Sequence, residues 1–272
     1  MLIDFHTHAF PDPIAPRALG ILIERMQARQ GNSILPFADG TAAGLLGLMN
    51  AEHVDVSVLL PIATRPGNSA SVNRFAKSLE SEKIIPFGSV HPYQEDWEAA
   101  LEEVSTYGMR GIKLHPEFQE FFVDSPESIR ILKKCAELGL IVVFHAGEDV
   151  GYEPPAHCTP VRLLRAMDAA PGVTIVAAHM GGFRMWDDVA NYLADTPCRI
   201  DTAYVQKEMP ADVCRDLIRL FGAQRVLFAS DSPWSRPRTE SLAFLQALGL
   251  SDAELACITH ENALRLLGIQ KS

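Results

Sequence analysis

The chain is poor in cysteine, and its cysteines are not paired along the sequence. It has five in 272 residues, Cys135, Cys158, Cys198, Cys214 and Cys257, and no two of them form a CxxC motif. This spacing excludes a zinc knuckle and gives no sign of a disulfide framework. We therefore expect reduced thiols in a cytoplasmic protein, with no cysteine among its metal ligands.

Positive charge and long apolar runs are also scarce. Lysine and arginine number 24 against 34 aspartates and glutamates, a formal net charge of −10, which argues against a general binder of nucleic acid or anionic membranes. No stretch approaches the ~20 apolar residues that span a bilayer. Asp4, His6 and His8 interrupt the first apolar run, unlike a signal peptide. We expect a soluble protein with a small-molecule substrate.

A glycine-rich phosphate loop is missing after the first apolar run, which disfavours an open doubly wound sheet. Short apolar runs instead alternate with amphipathic segments. Eight runs read as strands: 2–6, 54–61, 83–90, 109–115, 140–147, 173–180, 198–203 and 225–231. The amphipathic segments read as helices and include 41–53, 68–81, 96–108, 125–139, 159–172 and 211–222. This alternation predicts one α/β domain over residues 1–272, a (β/α)8 TIM barrel.

One connection is longer than the others. Residues 10–40 follow the first strand, and within them residues 21–30 have a helical pattern. An insertion after the first strand of a barrel would lie over its C-terminal mouth. We therefore predict a lid there.

Unusual polar residues fall at the predicted strand ends, where a parallel barrel carries its chemistry. They are His6 and His8, Lys113 and His115, His145, His179, and Asp231. Alternate residues of a strand share a face, so His6 and His8 project together and supply half of a metal site. His145 and Asp231 could complete it. Asp4 either orients a ligand histidine or ties the first strand to its neighbour.

Five motifs in order along the chain resemble the amidohydrolase superfamily. They are DFHTH (4–8), FHAG (144–147), AHMGG (178–182), SDSPW (230–234) and NALRLLG (262–268). The closest branch is the amidohydrolase-related group that includes aminocarboxymuconate-semialdehyde decarboxylase. The resemblance implies a metal-binding barrel, often a homodimer, with one divalent ion, for which we expect zinc. Its ligands would be His6, His8, His145 and Asp231, and His179 would be catalytic.

Lys113 leaves several interpretations open. Some superfamily members carry there a carboxylated lysine that bridges two metals, so a second metal is an alternative. An ammonium group beside a divalent cation is unfavourable, which predicts that Lys113 is carbamylated, neutral, or paired with a substrate carboxylate. A structural salt bridge is the remaining interpretation. His115 would contact substrate or a second metal.

We expect hydrolysis of an ester, lactone or amide of a small anionic molecule by metal-activated water. His179 would orient that water and Asp231 would carry its proton. The alternative is non-oxidative decarboxylation of an unsaturated or aromatic acid on the same metal. Candidate substrate-binding residues are Arg17, Arg25, Arg29, Arg65, Glu117, Gln119, Tyr204 and Trp234.

Other classes fit less well. A related nuclease would carry glutamate where Lys113 stands, and a related phosphatase would show a late Asp-x-His where Asp231 is followed by Ser232 and Pro233. A non-catalytic barrel would typically have lost His179 or Asp231, and both are present.

Overall fold

The computed structural model describes residues 1–31 and 34–269. Its eight strands are β1 (Ile3–Thr7), β2 (Val56–Leu59), β3 (Ile84–Pro86), β4 (Gly111–Leu114), β5 (Ile141–Phe144), β6 (Thr174–Ala177), β7 (Arg199–Asp201) and β8 (Val226–Leu227). Its α-helices are α1 (Ala15–Gln30), α2 (Ala42–Ala51), α3 (Ser69–Ser78), α4 (Trp97–Thr106), α5 (Pro126–Leu138), α6 (Pro160–Ala169), α7 (Trp186–Tyr192), α8 (Ala211–Phe221), α9 (Ala243–Gln246), α10 (Asp252–Ala256) and α11 (Asn262–Leu267). Seven of the predicted strands therefore contain an observed strand, and the first, 2–6, overlaps β1, which extends one residue further.

The strands form a closed parallel barrel. Backbone pairing runs in the order β1-β2-β3 and β4-β5-β6-β7-β8. Between β3 and β4, Gly88 N donates to Gly111 O at 2.8 Å, and between β8 and β1, Asp231 N donates to His6 O at 3.0 Å. These bonds connect the two sheets at both of their edges and close the barrel, so the predicted (β/α)8 fold is confirmed.

Alternate residues of the strands supply two separate cores. One set faces the barrel interior and includes Ile3, Phe5, Val58, Leu60, Phe87, Ile141, Val143, Val176 and Leu227, against which α11 packs Leu264 and Leu267. The other set, including Ile112, Leu114, Val142 and Phe144, packs with residues of the surrounding helices. Strands covered on both faces explain the near-continuous apolar runs of the sequence.

An irregularity in β1 aims the first histidine. Asp4 pairs with Ser57 and Thr7 with Leu59, so three steps of β1 match two of β2. Phe5 packs in the interior core, yet the next residue, His6, also faces the interior, where it contacts Lys113. A register shift of this kind re-aims side chains beside active sites.

Helix α1 confirms the helical pattern predicted for residues 21–30 and begins earlier, at Ala15, with Pro16 in its first turn. Proline suits that position because its fixed φ is helical and its missing N–H has no helical partner there. The side chain of Arg25 donates to the Tyr152 hydroxyl and Gln30 Nε2 donates to Val150 O at 3.4 Å. These contacts place α1 against the loop after β5, and its function as a lid stays a prediction.

The structure was also searched for membrane-crossing helices. Across the described ranges, no helix combines the length and the apolar character needed to cross a bilayer.

Gly147 lies in the loop after β5, and its replacement by alanine should strongly lower the stability of the fold. It has φ +86°, and an added Cβ would overlap the backbone N and O of Phe183. We expect Gly147→Ala to lower the free energy of unfolding by about 3–4 kcal/mol, from left-handed strain plus overpacking. Gly139 is the matched control, since it has φ +67° with no atom near the added Cβ. There we expect a loss of about 1 kcal/mol in chemical denaturation. Equal losses in both variants would contradict the clash.

Glu52 joins the end of α2 to the segment after β8. Its carboxylate accepts from Arg236 Nε at 2.9 Å, Arg238 N at 3.0 Å and Thr239 N at 2.8 Å. Burial opposes ionisation, but the bonds from Thr239 and the Arg236 charge outweigh it and lower the pKa of Glu52.

A depressed carboxyl pKa stabilises the folded state above the ordinary value of 4.5, and this stability is lost as pH falls through the folded pKa. Glu52→Gln should therefore cost about 2 kcal/mol near pH 7, with the difference from wild type shrinking below pH 4.5. Denaturation at several pH values measures this. Glu80→Gln, at an exposed ion pair with Lys77, should change little. A Glu52→Gln cost that stayed constant down to pH 3 would contradict the prediction.

Candidate metal centre

His6 and His8 lie at the end of β1, and a hydrogen bond at Nδ1 orients each ring. His6 Nδ1 lies 2.9 Å from Asp201 Oδ2, and His8 Nδ1 lies 2.9 Å from Leu60 O. The carbonyl can only accept, and the carboxylate accepts when ionised, so each Nδ1 carries the proton and donates it. Each Nε2 is then the atom left for a metal, an arrangement typical of metal-binding histidines.

Asp231 follows β8 and faces both imidazoles. Its Oδ1 lies 3.5 Å from His6 Nε2 and 3.2 Å from His8 Nε2. Burial opposes ionisation of Asp231, but the hydrogen bond with His8 and the neighbouring imidazoles outweigh it and hold its pKa well below the ordinary value. Burial, together with Lys113, lowers the pKa of His6 to about 4, so this ring is neutral at pH 7.

We call His6, His8 and Asp231 the first donor group, and its geometry fits a divalent ion. Their ligand atoms all lie within 4.8 Å of one another. Metal bonds of about 2.1 Å in a tetrahedral site place the ligand atoms roughly 3.4 Å apart, close to the spacings of Asp231 from the two rings. His8 Nε2 and Asp231 Oδ1, 3.2 Å apart, need a cation between them, either the proton of their hydrogen bond or a metal in its place. The donors leave room in the coordination shell for a further ligand.

Lys113 extends from β4 into the same space. It is 1% exposed, and its Nζ lies 3.2 Å from His6 Nε2. Burial, partly offset by Asp201 and Asp231, lowers the pKa of Lys113 to about 8. Within residues 1–31 and 34–269, no carboxylate oxygen lies within 4.0 Å of this amine. The structural salt bridge considered for Lys113 is therefore not formed by the described residues.

His179 and His145 form a pair beside this group. His179 Nδ1 lies 2.9 Å from Ala203 O, and its Nε2 lies 3.0 Å from His145 Nδ1. The other edge of His145 faces Asp149, and the His145 ring is stacked on the ring of His115, with centroids 4.2 Å apart. The ligand atoms of the three residues lie within 4.8 Å of one another. We call His115, His145 and Asp149 the second donor group. The predicted ligands His6, His8 and Asp231 thus converge, while His145 lies in the second group, and its binding to the first metal stays a prediction.

Two carboxylates of this region were missed by the sequence argument. Asp201, at the end of β7, orients His6, and Asp149 faces His115 and His145. Asp201 satisfies the same rule that selected the other residues, a polar residue ending a predicted strand. Asp149 lies in a loop, and only its spacing of four residues from His145 hinted at proximity. Asp4 accepts from Ser230 N at 2.9 Å and so ties β1 to the segment after β8, the second of its two predicted roles.

Glu117 and Gln119 follow β4 and are both buried. Glu117 Oε1 accepts from His157 N at 2.8 Å, and burial raises the pKa of Glu117 to about 7. Gln119 Nε2 donates to Ala63 O at 2.8 Å and Val90 O at 2.9 Å, which ties the ends of β2 and β3 to β4. Gln119 is therefore a structural residue, and a substrate-binding role for Glu117 stays a prediction.

The remaining predicted substrate-binding residues differ in their exposure. Arg17, Arg25 and Arg65 are exposed and Arg29 is half-buried, in an ion pair with Glu153. Tyr204 is buried, and burial raises the pKa of its hydroxyl. Trp234 is half-buried, and its backbone N donates to Asp231 O at 2.9 Å. The structure thus brings Trp234 beside the first donor group, whereas Arg17 and Arg65 lie on the surface.

Comparison with known proteins agrees with this fold. The family model described as amidohydrolase matches residues 3–269. No curated protein matches the chain.

Several solved structures are similar over almost their whole length. An uncharacterized TIM-barrel protein from Bordetella bronchiseptica has TM-score 0.76 and 19% identity, covering 98% of each chain. 5-Carboxyvanillate decarboxylase from Sphingomonas paucimobilis has TM-score 0.74 and 17% identity, covering 99% of each chain. A dihydroxybenzoic acid decarboxylase from Polaromonas sp. JS666, solved with manganese and 2-nitroresorcinol, has TM-score 0.72 and 15% identity, covering 100% of this chain and 98% of that one.

At these identities the solved structures support the barrel fold, which hosts many activities. The family model is more specific and spans nearly the whole chain, in agreement with the resemblance found in the motifs. The protein therefore belongs to the amidohydrolase family.

Proposed function

We propose that this protein is a metal-dependent decarboxylase that removes CO2 non-oxidatively from an aromatic or unsaturated carboxylic acid. The observation that carries the proposal is Lys113, a buried amine at the candidate metal centre with no carboxylate within ion-pair distance among the described residues. The fold's likeness to decarboxylases of hydroxylated benzoic acids supports the same reaction type.

A buried cation needs a partner, because burying an isolated charge is costly. Among the described residues, the hydrogen bond of Lys113 Nζ goes to the neutral His6 ring alone, and a metal held by the first donor group would add further positive charge. A substrate carboxylate would compensate both. The proposed substrate is therefore an acid anion whose carboxylate lies between Lys113 and the metal position.

The chemistry of the donors also agrees with a Lewis-acid centre. His6, His8 and Asp231 would hold the ion, with His145 as the predicted fourth ligand. Nitrogen and carboxylate donors in this number suit zinc and also manganese, so the geometry favours no single metal. When bound, the metal would supply positive charge that fixes an anionic substrate oxygen and stabilises charge that develops in the reaction.

In the proposed reaction the bond from the carboxylate to its carbon breaks, and the electron pair stays on that carbon. A proton must then reach this carbon. His179 Nε2 and His145 Nδ1 lie 3.0 Å apart and can hold a proton between them, with His179 fixed by its bond to Ala203 O. We assign proton delivery to His179, because Asp231 is ionised and has no proton to give.

Hydrolysis of an ester, lactone or amide is the competing function. One observation favours hydrolysis, because the ionised Asp231 could accept a proton from water at the metal. Hydrolysis requires water in the site, however, and the histidines His6, His179, His115 and His145 are only 1%, 4%, 5% and 8% exposed. Limited access for water supports loss of CO2 over hydrolysis, because decarboxylation consumes a proton and no water, whereas hydrolysis consumes a water molecule.

The proposal is tested by supplying zinc-loaded or manganese-loaded protein with hydroxylated benzoic acids, including 2,6-dihydroxybenzoate and 5-carboxyvanillate. We expect CO2 release, measured by mass spectrometry, and in D2O one deuterium at the carbon that carried the carboxylate. Esters and lactones are assayed in parallel. Their turnover, without CO2 from any acid, would contradict decarboxylation and support hydrolysis.

Lys113→Met tests whether the buried Lys113 amine binds the substrate carboxylate. It should raise KM for acids by on the order of 100-fold, because a charge pair in a buried site is lost, and leave binding of an uncharged analogue nearly unchanged. Glu80 and Lys77 form an exposed ion pair, and Lys77→Met is the matched control, expected to change neither value. An equal KM for acids in wild type and Lys113→Met would show that Lys113 does not bind the carboxylate.

A further inference from the structure

A small cavity adjoins the barrel mouth, with a volume of about 10 Å3, which is room for one water-sized group. Its walls are formed by Glu117 after β4, by six residues of the segment 148–156 after β5, and by Arg29 of α1. The charged residues among them are four carboxylates and one cation: Glu117, Glu148, Asp149 and Glu153, and Arg29. A group bound there is surrounded mainly by negative charge, which disfavours an anionic group.

One of the four carboxylates has an oxygen with no partner. The other three are paired within the structure: Glu148 with Arg184, Glu153 with Arg29, and Asp149 with the backbone N of Gly151. Glu117 is only 3% exposed, and its Oε1 accepts from His157 N at 2.8 Å. Its Oε2 is buried, and no donor within the described part of the chain reaches it. A buried acceptor without a hydrogen bond is costly, so Oε2 is the atom of this cavity that requires a ligand.

The neighbouring histidine does not supply the missing hydrogen bond. His115 Nδ1 lies 3.7 Å from Glu117 Oε2, beyond hydrogen-bond distance, and it already accepts from Phe118 N at 3.4 Å. Burial lowers the pKa of His115 well below its ordinary value, so the neutral ring carries its one proton on Nε2. That proton faces Asp149 Oδ2 at 3.3 Å. The donor for Glu117 must therefore come from a bound molecule.

The cavity adjoins the candidate metal centre. Asp149 Oδ2, in the cavity wall, lies 3.8 Å from Nε2 of His145, the predicted fourth ligand, and the ring of His145 is stacked on that of His115. We infer that the substrate extends from its carboxylate at Lys113 along these two rings, and that Glu117 Oε2 accepts a hydrogen bond from a hydroxyl or amino group of the substrate. This inference rests on the proposed function, and it makes Glu117 a specificity-determining residue.

The chemistry of the cavity narrows the substrate class. The group must donate a hydrogen bond and be as small as water, and it must not be an anion, so a second carboxylate or a phosphate does not fit. An acid with a methyl or methoxy group at the same position leaves Glu117 Oε2 unpaired. We expect such acids to lose about 10- to 100-fold in kcat/KM relative to the hydroxyl or amino acid.

A substituent series tests this. Zinc-loaded protein is supplied with 2-hydroxybenzoates that carry a hydroxyl, amino, methyl or methoxy group at position 3, 4 or 5, and kcat/KM is measured from CO2 release. At one position the hydroxyl or amino acid should exceed the methyl and methoxy acids by about 10- to 100-fold, and the better of the two identifies the group. No preference for a donor at any position would overturn the inference.

Glu117→Gln makes the result specific. Its amide oxygen can still accept from His157 N, and its NH2 group then faces the cavity, so the preference for a donor should be lost and the methoxy acid should gain. Glu95→Gln is the matched control, since Glu95 is exposed, and it should keep the wild-type preference. An equal effect of Glu117→Gln on all four acids would show a structural role and overturn the inference.

Calorimetric binding of the same acids separates this inference from the proposed function. Tighter binding of the hydroxyl or amino acid to wild type, without CO2 release from any acid, would contradict decarboxylation and keep the role of Glu117. Binding of none of the acids, or equal binding of all four, would overturn the inference. The wild-type series gives this answer even where Glu117→Gln fails to fold, which circular dichroism shows.

Discussion

Asp231→Asn should lose the metal of the first donor group and lower turnover on the order of 1,000-fold, about 4 kcal/mol of activation free energy. Asp231 Oδ1 faces His6 Nε2 at 3.5 Å and His8 Nε2 at 3.2 Å and is the only carboxylate oxygen in this group. Asparagine has nearly the same shape but no charge, and one of its two side-chain ends is a donor that repels a cation. Zinc affinity should fall by more than about 100-fold.

Competition with a chromophoric chelator measures the affinity, and steady-state kinetics at saturating zinc measure the turnover. Asp195→Asn is the control, because Asp195 is exposed, and it should leave both values unchanged. If Asp231→Asn keeps wild-type zinc affinity, the first donor group does not hold a metal through this carboxylate. If zinc saturation restores its turnover, the carboxylate acts only in binding the ion.

His179→Asn should lower turnover by about 10³- to 10⁴-fold while zinc affinity stays close to wild type. His179 is placed by its bond to Ala203 O and reaches His145 rather than either donor group's carboxylate. The backbone at His179 has φ +58°, in the left-handed region, which asparagine tolerates better than other residues. The substitution should therefore remove the imidazole with little effect on folding.

Turnover and zinc content are measured on the same preparation. His157→Asn is the matched control, since His157 lies outside both donor groups with Nδ1 3.1 Å from Pro116 O, and it should lose less than about 10-fold in activity. Loss of zinc from His179→Asn comparable to that of Asp231→Asn would make His179 a ligand. Wild-type turnover in His179→Asn would remove it from the proton transfer.

The fold was predictable because its signal is repeated. Eight apolar runs alternate with amphipathic segments, and each predicted strand overlaps a strand of the barrel. The segment 225–231 shows the limit of this signal, because only Val226–Leu227 pairs as β8. The residues after it leave the regular ladder so that Asp231, with φ +66°, can turn toward β1.

The candidate site was partly predictable because strand ends of a parallel barrel meet at one mouth. That rule alone brought His6, His8 and Asp231 into one region, where the structure places them. The rule did not predict which of these side chains contact one another. His145 lies with His115 and Asp149, and no local pattern relates these to each other, since their contact depends on how the loop after β5 folds back.

The sequence by itself determined the barrel, the family and the end of the barrel where chemistry gathers, because periodicity and motif order are properties of the chain. Only the tertiary structure decided how the side chains pair. The register shift in β1 turns His6 inward directly after the inward Phe5, against simple alternation. A left-handed backbone conformation at His179 and at Asp231 sets the direction of these two side chains. Such conformations are locally unfavourable and persist only where surrounding contacts enforce them, so their positions depend on the closed barrel.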